Sequence, residues 1–321
     1  METTQQVKQF EALQADKNYI IPYDRNIAID YDQKTPFTRW LKAIDDKIWK
    51  LDRWRFCTMI GESWSGKTTF LFFSMLQLTK QYKVLFLSLE MPPSEVIKLR
   101  AIKMAWVTIS ERDNKTMNNI QKDMIDMEIK TITRNTNLQL WYIKPDLDKE
   151  VDINRILNCI QSSYSDCDYI VIDNLWFIKS PSDKARSITE ETNDIIRKCK
   201  WFCDEKKKTI MMIHHFNKWS SISRKNRSPA DIRDSGKLEN DVDYMVFISR
   251  SVMTAEEWEE ASEEDRALVY FDLVKNRIRG DKKRVFMYFY YGQYYAEYPW
   301  KSVKGIPNTT KEVDYDDSFK G

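Results

Sequence analysis

One string of residues, Gly61-Glu62-Ser63-Trp64-Ser65-Gly66-Lys67-Thr68, limits the folds open to this chain more than any other feature. It fits the pattern G-x-x-x-x-G-K-[ST] and lies between an apolar run, 56–60, and a helix-like stretch, 69–73. A strand, a glycine-containing turn and a helix in that order place backbone N–H groups around phosphates at the positive end of the helix. Only seven glycines occur in the chain, and two of them stand in this string. The sequence therefore predicts a nucleoside triphosphate site.

Each position of this loop has an expected part in holding the nucleotide. Lys67 is expected to reach the β- and γ-phosphates, and Thr68 to offer its hydroxyl to Mg²⁺. The remaining positions supply backbone groups around the phosphates. The predicted nucleotide-binding residues are Gly61, Glu62, Ser63, Trp64, Ser65, Gly66, Lys67, Thr68 and Thr69.

Composition predicts a globular chain with one large core. Of its 321 residues, 42% are hydrophobic and 31% are charged. No apolar run approaches the ~20 residues that span a bilayer, and the first residues lack the basic-then-apolar layout of a secretory signal. We therefore expect no membrane partner, and cytoplasm is the expected compartment.

Cysteine usage and net charge point to no further chemistry. The five cysteines are odd in number and form no C-x-x-C, so neither a disulfide frame nor a zinc site is predicted. Cys199 and Cys203 stand four residues apart on a predicted helix, where buried thiols are expected. A net charge of +2 does not by itself demand a nucleic-acid partner, and the basic clusters fit a solvated face as well as a phosphate-binding one.

Apolar runs alternate with helical stretches after the phosphate loop. Strands are predicted at 83–90, 138–143, 169–173 and 209–215, and helices around 153–160 and 189–205. Unbroken apolar strands alternating with helices indicate a mostly parallel sheet with helices on both faces, which is an α/β fold. Three later runs predict an extension of the same sheet with antiparallel hairpins at its edge, and they lie at 244–248, 268–274 and 284–289.

Polar side chains end three of these strands. In parallel sheets, ligands bind beyond the carboxyl ends of the strands, so Glu90, Asp173 and His215 are expected to converge on the phosphate loop. Asp173 is predicted to hold Mg²⁺, and Glu90 to polarise the attacking water. A histidine here can hydrogen-bond the γ-phosphate and report its loss; the sequence favours His215 but leaves His214 open.

Besides these groups, phosphoryl transfer requires a cation that stabilises the transition state. Lys275 and Arg277 follow an apolar strand, and no position on the same subunit obviously delivers the arginine to Lys67. Supply by a neighbouring subunit is the economical solution. The alternative is ordinary exposed charge at a strand end.

Several segments, taken in order, resemble the ATPase domain of DnaB-type replicative hexameric helicases, within the RecA-like superfamily. The resemblance covers residues 36 to 297. The most specific strings are Leu87-Ser88-Leu89-Glu90-Met91-Pro92 and the stretch from Arg233-Asp234-Ser235-Gly236 to Asp243. The other matching segments are Gly61 to Thr68, Val171 to Leu175, His214 to Lys218 and Lys275-Asn276-Arg277.

This resemblance implies a function. A chain of this kind is a RecA-like ATPase with Mg²⁺, and it assembles into a ring-shaped homo-oligomer, a hexamer in the family, with ATP sites between subunits. Lys275 and Arg277 match the pair that reaches into the neighbouring subunit's site. Arg233, Asp234 and Gly236 match a loop that holds the backbone of single-stranded DNA. The expected function is a DNA helicase or translocase, such as one in phage or plasmid replication, with replication proteins as further partners.

The sequence also carries departures and an alternative. His215 stands where the family has a glutamine, and we expect no counterpart of the helicase collar domain before residue 36. The missing collar favours an ATP-dependent switch or assembly ATPase that oligomerises and binds a protein or DNA without unwinding. Glu90, Lys275, Arg277 and the loop at Arg233 favour the motor. We expect an extension with a linker helix at 1–35, the ATPase domain at 36–300 and an acidic tail at 301–321.

Overall fold

A computed structural model describes the central part of the chain. The predicted N-terminal extension and C-terminal tail lie outside the described residues, as does much of the stretch after His215. The described residues are 54–62, 65–107, 111–112, 114–144, 151–181, 187–215, 241–251, 255–277, 280, 282–290 and 293–295.

Strands and helices alternate along most of this chain. The strands are β1 (Phe56–Gly61), β2 (Val84–Ser88), β3 (Leu138–Tyr142), β4 (Val151–Asp152), β5 (Tyr169–Asp173), β6 (Ile178–Lys179), β7 (Thr209–His215), β8 (Tyr244–Arg250), β9 (Leu268–Asn276), β10 (Lys283–Tyr290) and β11 (Gln293–Tyr295). The helices are α1 (Lys67–Leu78), α2 (Pro93–Met104), α3 (Asn119–Thr133), α4 (Ile153–Ser163), α5 (Ile188–Lys206), α6 (Ala255–Glu260) and α7 (Glu263–Ala267).

One nine-stranded sheet organises the described residues, in the order β11-β10-β9-β8-β1-β7-β5-β2-β3. The six strands from β8 to β3 run parallel, whereas β9, β10 and β11 pair antiparallel. The short strands β4 and β6 form a separate parallel pair. The predicted α/β fold, with a mostly parallel sheet and an antiparallel extension near the C-terminus, is confirmed.

Burial on both faces explains why these strands read as unbroken apolar runs. Every residue of β1, β2 and β5 is buried. Phe56 and Ile60 of β1 join one apolar cluster, with residues of α4 and α5, whereas Cys57 and Met59 join a second, with residues of α1. Successive side chains of a strand point to opposite faces. A strand that is covered on both faces therefore has no side chain facing solvent, and most of its residues are apolar.

All five cysteines are free and buried, as the sequence predicts for Cys199 and Cys203. Both of these thiols lie in the cluster that α4 and α5 form with the sheet. Burial raises the pKa of each well above its ordinary value, which keeps it protonated. They act as small apolar side chains in the core.

The strand that leads to Glu90 ends earlier than predicted. The sequence suggests a strand over 83–90 with the acid at its end, but β2 stops at Ser88. The Ser88 hydroxyl binds both the carbonyl and the N–H of Met91, which turns the chain, and Leu89 N–H donates to the Asp173 carbonyl at 2.6 Å. Glu90 therefore lies in this turn, with its side chain 48% exposed.

The parallel strands define two edges of the sheet. We call the edge where they end, at Gly61, Ser88, Asp173 and His215, the carboxyl edge. Register pairs Gly61 with His215 and Ser88 with Asp173, so these four ends lie side by side. The opposite edge, where β1 begins at Phe56, is the amino edge. No helix among the described residues is long and apolar enough to cross a membrane.

Candidate nucleotide site

Two glycines shape the loop that follows β1. A Cβ on Gly61 would lie 2.6 Å from both the carbonyl oxygen of Ile248 and the hydroxyl of Ser65, so only glycine fits beside the neighbouring strand. Gly66 has φ +96°, a left-handed conformation that favours glycine. The loop therefore needs glycine at these two positions, which are the two glycines of the G-x-x-x-x-G pattern.

Helix α1 begins at Lys67 directly after Gly66. No side chain caps this helix, since its N-cap residue is Gly66. Thr68 and Thr69 lie in its first turn, where backbone N–H groups point out of the helix toward the carboxyl edge. This end of the helix carries partial positive charge and favours an anion. The predicted loop residues Ser63 and Trp64 lie outside the described residues.

The Lys67 ammonium is held inside the loop. Its Nζ donates to the carbonyls of Gly61 at 2.9 Å and Glu62 at 2.6 Å. The residue is only 5% exposed, and burial lowers the pKa of Lys67 to about 8, although Asp173 and Glu90 act to raise it. An anion beside this buried cation would restore its full charge, as a phosphate does.

Thr68 and Asp173 lie side by side. The Thr68 hydroxyl donates to Asp173 Oδ2 at 2.7 Å, which brings the end of β5 against the first turn of α1. Asp173 is 1% exposed, and its Oδ1 has no hydrogen-bond partner among the described residues. Burial raises the pKa of Asp173 to about 6, against the hydrogen bond from Thr68, which lowers it. A buried carboxylate with an orphaned oxygen is suited to a cation.

These two residues fit Mg²⁺. The ion prefers oxygen ligands and is usually held by one or two carboxylates together with substrate phosphates. A hydroxyl, a carboxylate and an adjacent phosphate loop supply that set. Among the described residues, no cluster of three or more His, Cys, Asp or Glu side chains forms a metal site independent of the loop.

Glu90, Asn174 and His215 form a hydrogen-bonded group beside the loop. The Asn174 amide Nδ2 donates to Glu90 Oε2 and lies 3.2 Å from His215 Nε2. His215 Nε2 is 3.9 Å from Glu90 Oε2. His215 and the Asn174 amide together hold the pKa of Glu90 below its ordinary value, so the carboxylate is ionised at neutral pH. The sequence singled out Glu90 and His215 but not Asn174.

The structure separates the two histidines that the sequence leaves open. His215 lies beside Glu90, whereas His214 pairs with Ile60 and projects to the other face of the sheet. The Nδ1 of His214 is buried without a partner among the described residues. Burial lowers the pKa of His214 to about 4, so its ring is neutral at pH 7. Geometry thus favours His215 as the sensor, and that role stays a prediction.

Arg277 lies at the other edge of the sheet. Strand β9 runs antiparallel and ends opposite the start of β8, with Asn276 paired to Tyr244. Arg277 N–H donates to the Asp243 carbonyl at 2.9 Å, and its guanidinium lies 3.6 Å from Asp243 Oδ1. Asp243 Oδ2 in turn accepts the N–H of Phe56, at the start of β1.

The length of β1 therefore separates Arg277 from the loop of its own chain. Strand β1 runs from Phe56 at the amino edge to Gly61 at the carboxyl edge, which is about 16 Å at ~3.3 Å per residue. Lys275 lies two residues before Arg277 on β9, paired with Met245 near the same edge. Neither side chain belongs to the group around Lys67.

Comparison with known families agrees with this geometry. The model of the DnaB-like helicase C-terminal domain matches residues 38–295, which is more than half of the chain. The chain belongs to this family. The resemblance drawn from the phosphate loop and the later strings is thereby confirmed.

Two relatives of this DnaB-like chain share the same description. The "Probable plasmid replicative DNA helicase" of Chlamydia trachomatis serovar L2 is 26% identical over 220 residues, which cover 67% of this chain and 47% of that protein. The protein of the same description from Chlamydia psittaci is 28% identical over 233 residues, covering 69% and 48%. The chain thus spans about half the length of the curated relatives it matches.

Solved structures share the fold of this DnaB-like chain. One, described as an ATPase domain, superposes with a TM-score of 0.66 at 19% identity, covering 92% of this chain and 98% of that one. A DnaB-like replicative helicase, described with its interactions with primase, superposes with a TM-score of 0.65 at 19% identity, covering 90% and 65%. At this identity the likeness concerns the fold.

The predicted nucleic-acid residues of this DnaB-like chain lie outside the described residues. Arg233, Asp234 and Gly236 fall between β7 and β8, the strands that flank β1. Their assignment to single-stranded DNA stays a prediction.

Proposed function

We propose that this chain is an ATP-hydrolysing, ring-forming helicase or translocase that moves along single-stranded DNA in the replication of a plasmid or phage. The observation that carries the proposal is the group at the carboxyl edge. Lys67, the Thr68–Asp173 pair and Glu90 lie together there, and each has a separate task in phosphoryl transfer. Membership of the DnaB-like family and the description of the Chlamydia relatives support the choice of helicase among P-loop ATPases.

In this proposal the loop binds ATP through its phosphates. Lys67, already turned inward by its two carbonyl contacts, moves its ammonium onto the β- and γ-phosphates. Thr68 and Asp173 would hold Mg²⁺, which would neutralise charge on the phosphate oxygens. The backbone N–H groups of the first turn of α1 face the same phosphates.

Glu90 is the proposed base. It lies in the turn between Ser88 and Met91, its carboxylate is ionised at neutral pH, and its side chain is 48% exposed, so water reaches it. A positioned carboxylate that takes a proton from the attacking water contributes typically ~10²- to ~10⁴-fold to such a step. His215, beside Glu90, is the proposed sensor of the γ-phosphate.

The placement of Arg277 supports a site shared between subunits. A catalytic arginine acts at the transferred phosphate, but in this chain Arg277 lies near the start of β1 and the loop follows its end. A head-to-tail ring brings the amino edge of one subunit to the carboxyl edge of the next, which places Lys275 and Arg277 at a neighbour's ATP. The proposed assembly is a homo-hexamer, and the proposed track, through Arg233, Asp234 and Gly236, is single-stranded DNA.

Steady-state ATP hydrolysis tests this function. The pure protein is assayed with and without single-stranded DNA at two salt concentrations, with Lys67→Ala as the control. The motor predicts strong stimulation by DNA that weakens at the higher salt, because phosphate contacts release counterions. A forked-duplex unwinding assay follows. Hydrolysis that ignores DNA contradicts the motor and favours the non-unwinding switch, whereas no hydrolysis under any condition contradicts the enzyme altogether.

A further inference from the structure

Asn174 joins the proposed base, the proposed sensor and a surface turn through one buried side chain. The residue follows Asp173 at the end of β5 and is 1% exposed. Its Oδ1 accepts the N–H of Trp176 at 3.0 Å and caps the short helical turn Leu175–Phe177. Its Nδ2 donates to Glu90 and faces His215 Nε2 at 3.2 Å.

The cap fixes which end of the amide faces Glu90. An asparagine side chain has one acceptor end and one donor end, and a backbone N–H can bind only the acceptor. Because Oδ1 is held by Trp176 N–H, the NH₂ group must face Glu90 and His215. The two hydrogens of that NH₂ group match two acceptors, one on each neighbour.

The same logic assigns the proton on His215. An amide nitrogen is only a donor, so His215 Nε2 accepts from it and the ring proton lies on Nδ1. Nε2 and Glu90 Oε2 are 3.9 Å apart, and the Asn174 amide lies between them and contacts each. Asn174 therefore lies between Glu90 and His215. It fixes the position of the Glu90 carboxylate and the tautomer of the His215 ring.

Resting on the function proposed above, we propose that Asn174 is a positioning residue for ATP hydrolysis: its amide holds the Glu90 carboxylate and His215 in one arrangement beside the loop. The capping contact keeps the amide in the required orientation. Asn174 touches no reacting atom and acts through Glu90. This role is separate from that of Asp173, which precedes it and meets Thr68.

Asn174→Ser separates positioning from capping. Serine is an effective cap, so its hydroxyl can still accept the N–H of Trp176, but it lacks the amide that reaches Glu90. Asn174→Asp is the second variant. It keeps the capping oxygen and the shape of the side chain, yet it turns an oxygen toward the Glu90 carboxylate in place of a donor. Asn174→Ala removes both contacts and serves as the comparison.

The expected result is a split between turnover and binding. We expect Asn174→Ser and Asn174→Asp to lower kcat by about 10-fold to about 100-fold, since misplacing a catalytic group by about 1 Å costs that much. The affinity of Asn174→Ser for a fluorescent ATP analogue should stay within about 2-fold of wild type, because Lys67 and Thr68 are untouched. A purely structural cap predicts instead that Ser and Asp match wild type and that only Ala is impaired.

A double-mutant cycle with Glu90→Gln identifies the route of the effect. If Asn174 acts through Glu90, adding Asn174→Ser to Glu90→Gln lowers the residual rate no further, whereas independent effects multiply. Thermal unfolding of each variant shows whether it is folded at the assay temperature. Should Asn174→Ser prove unfolded, Asn174→Asp, which fills the same space, carries the test.

Each outcome bears on one claim. Full kcat in a folded Asn174→Ser or Asn174→Asp overturns the positioning role and leaves the helicase proposal intact. Multiplying effects in the cycle also overturn it. Wild-type protein that hydrolyses ATP but ignores DNA overturns the motor, while the loss of basal kcat in Asn174→Ser would still support the positioning role.

Discussion

Buried carboxylates lie at both edges of the sheet, but they have different numbers of partners. At the carboxyl edge, Asp173 and Lys67 are buried with incomplete pairing: Asp173 Oδ1 has no partner among the described residues, and burial lowers the pKa of Lys67. At the amino edge, Asp243 is fully buried and its Oδ2 accepts from Phe56 N–H and from Lys200 Nζ, each at 2.9 Å. Its Oδ1 also has no hydrogen-bond partner among the described residues, but it lies 3.6 Å from the Arg277 guanidinium.

That difference separates a reactive edge from a structural one. A buried polar group without a partner costs stability, so it persists where a ligand completes it. Asp243, with two donors on Oδ2 and a guanidinium beside Oδ1, instead links the start of β1 to α5 and to Arg277. We therefore propose that chemistry takes place at the carboxyl edge and that the amino edge supports Arg277. In this proposal the ATP site combines one edge from each of two subunits.

Lys67→Ala should have the largest effect. Removing the ammonium takes away the cation that faces the phosphates, and we expect kcat/KM for ATP to fall at least ~1,000-fold, which corresponds to about 4 kcal/mol. Lys98→Ala, which removes an exposed lysine of α2, is the matched control and should hydrolyse ATP as wild type does. Comparable activity in the two variants would remove Lys67 from the site.

Glu90→Gln should stop turnover while sparing binding. The amide cannot take a proton from water, so we expect kcat to fall about 100-fold or more, with ATP affinity within about 2-fold of wild type. Glu95→Gln changes an exposed acid nearby in α2 and should leave kcat unchanged. Robust hydrolysis by Glu90→Gln would exclude Glu90 as the base.

Asp243→Asn tests the structural edge. Removing this charge leaves Lys200 without its buried partner, and we expect the free energy of unfolding in urea to fall by about 2 to 3 kcal/mol. Asp204, whose side chain is 50% exposed, is the other partner of the same lysine, and Asp204→Asn should cost less than about 1 kcal/mol. Equal losses in the two variants would show that burial of Asp243 contributes nothing.

His214 should make the carboxyl edge sensitive to acid. The pKa of His214 is about 4 in the folded chain, against an ordinary value of 6.5, so between these values the unfolded chain binds a proton that the folded chain does not. The contribution of His214 to the free energy of unfolding therefore falls by about 2 kcal/mol between pH 7 and pH 5. Asp173, whose pKa is raised to about 6, acts in the opposite direction over the same range.

Two variants isolate this contribution. His214→Gln should lose the ~2 kcal/mol part of the pH dependence of unfolding, whereas His215→Gln should retain it. Urea titrations of both proteins at pH 7 and pH 5 supply the comparison. The same pH dependence in wild type and His214→Gln would show that the His214 ring is not held neutral by burial.

Local patterns in the sequence predict most of the fold. Strands β1, β5 and β7 lie where the apolar runs predict them, because burial on both faces requires such runs. The helix predicted at 189–205 spans 188–206, and it begins at a capping box of Ser187 and Glu190. Helices α2 and α3 lack an equally clear apolar pattern, and the sequence did not indicate them.

Some features of the site could not be predicted from local sequence patterns because they depend on contacts between distant parts of the chain. Asn174 meets Glu90 across 84 positions of the chain, and no local pattern distinguishes it from any other polar residue after a strand. The choice between His214 and His215 required the register of β7 against β1. The tie between Arg277 and Asp243 required the antiparallel path of β9. A polar residue directly after an acid that ends a strand is the one signal that could have suggested Asn174.

Mixing two inactive variants tests the division between the edges most directly. Arg277→Ala retains an intact carboxyl edge, and Lys67→Ala retains an intact Arg277. Each protein alone should hydrolyse little ATP, but a mixture allowed to assemble should regain activity, with a maximum near equal amounts, because some sites then combine Lys67 from one subunit with Arg277 from its neighbour. Absence of activity at every mixing ratio, or full activity of Arg277→Ala alone, would contradict a site shared between two subunits.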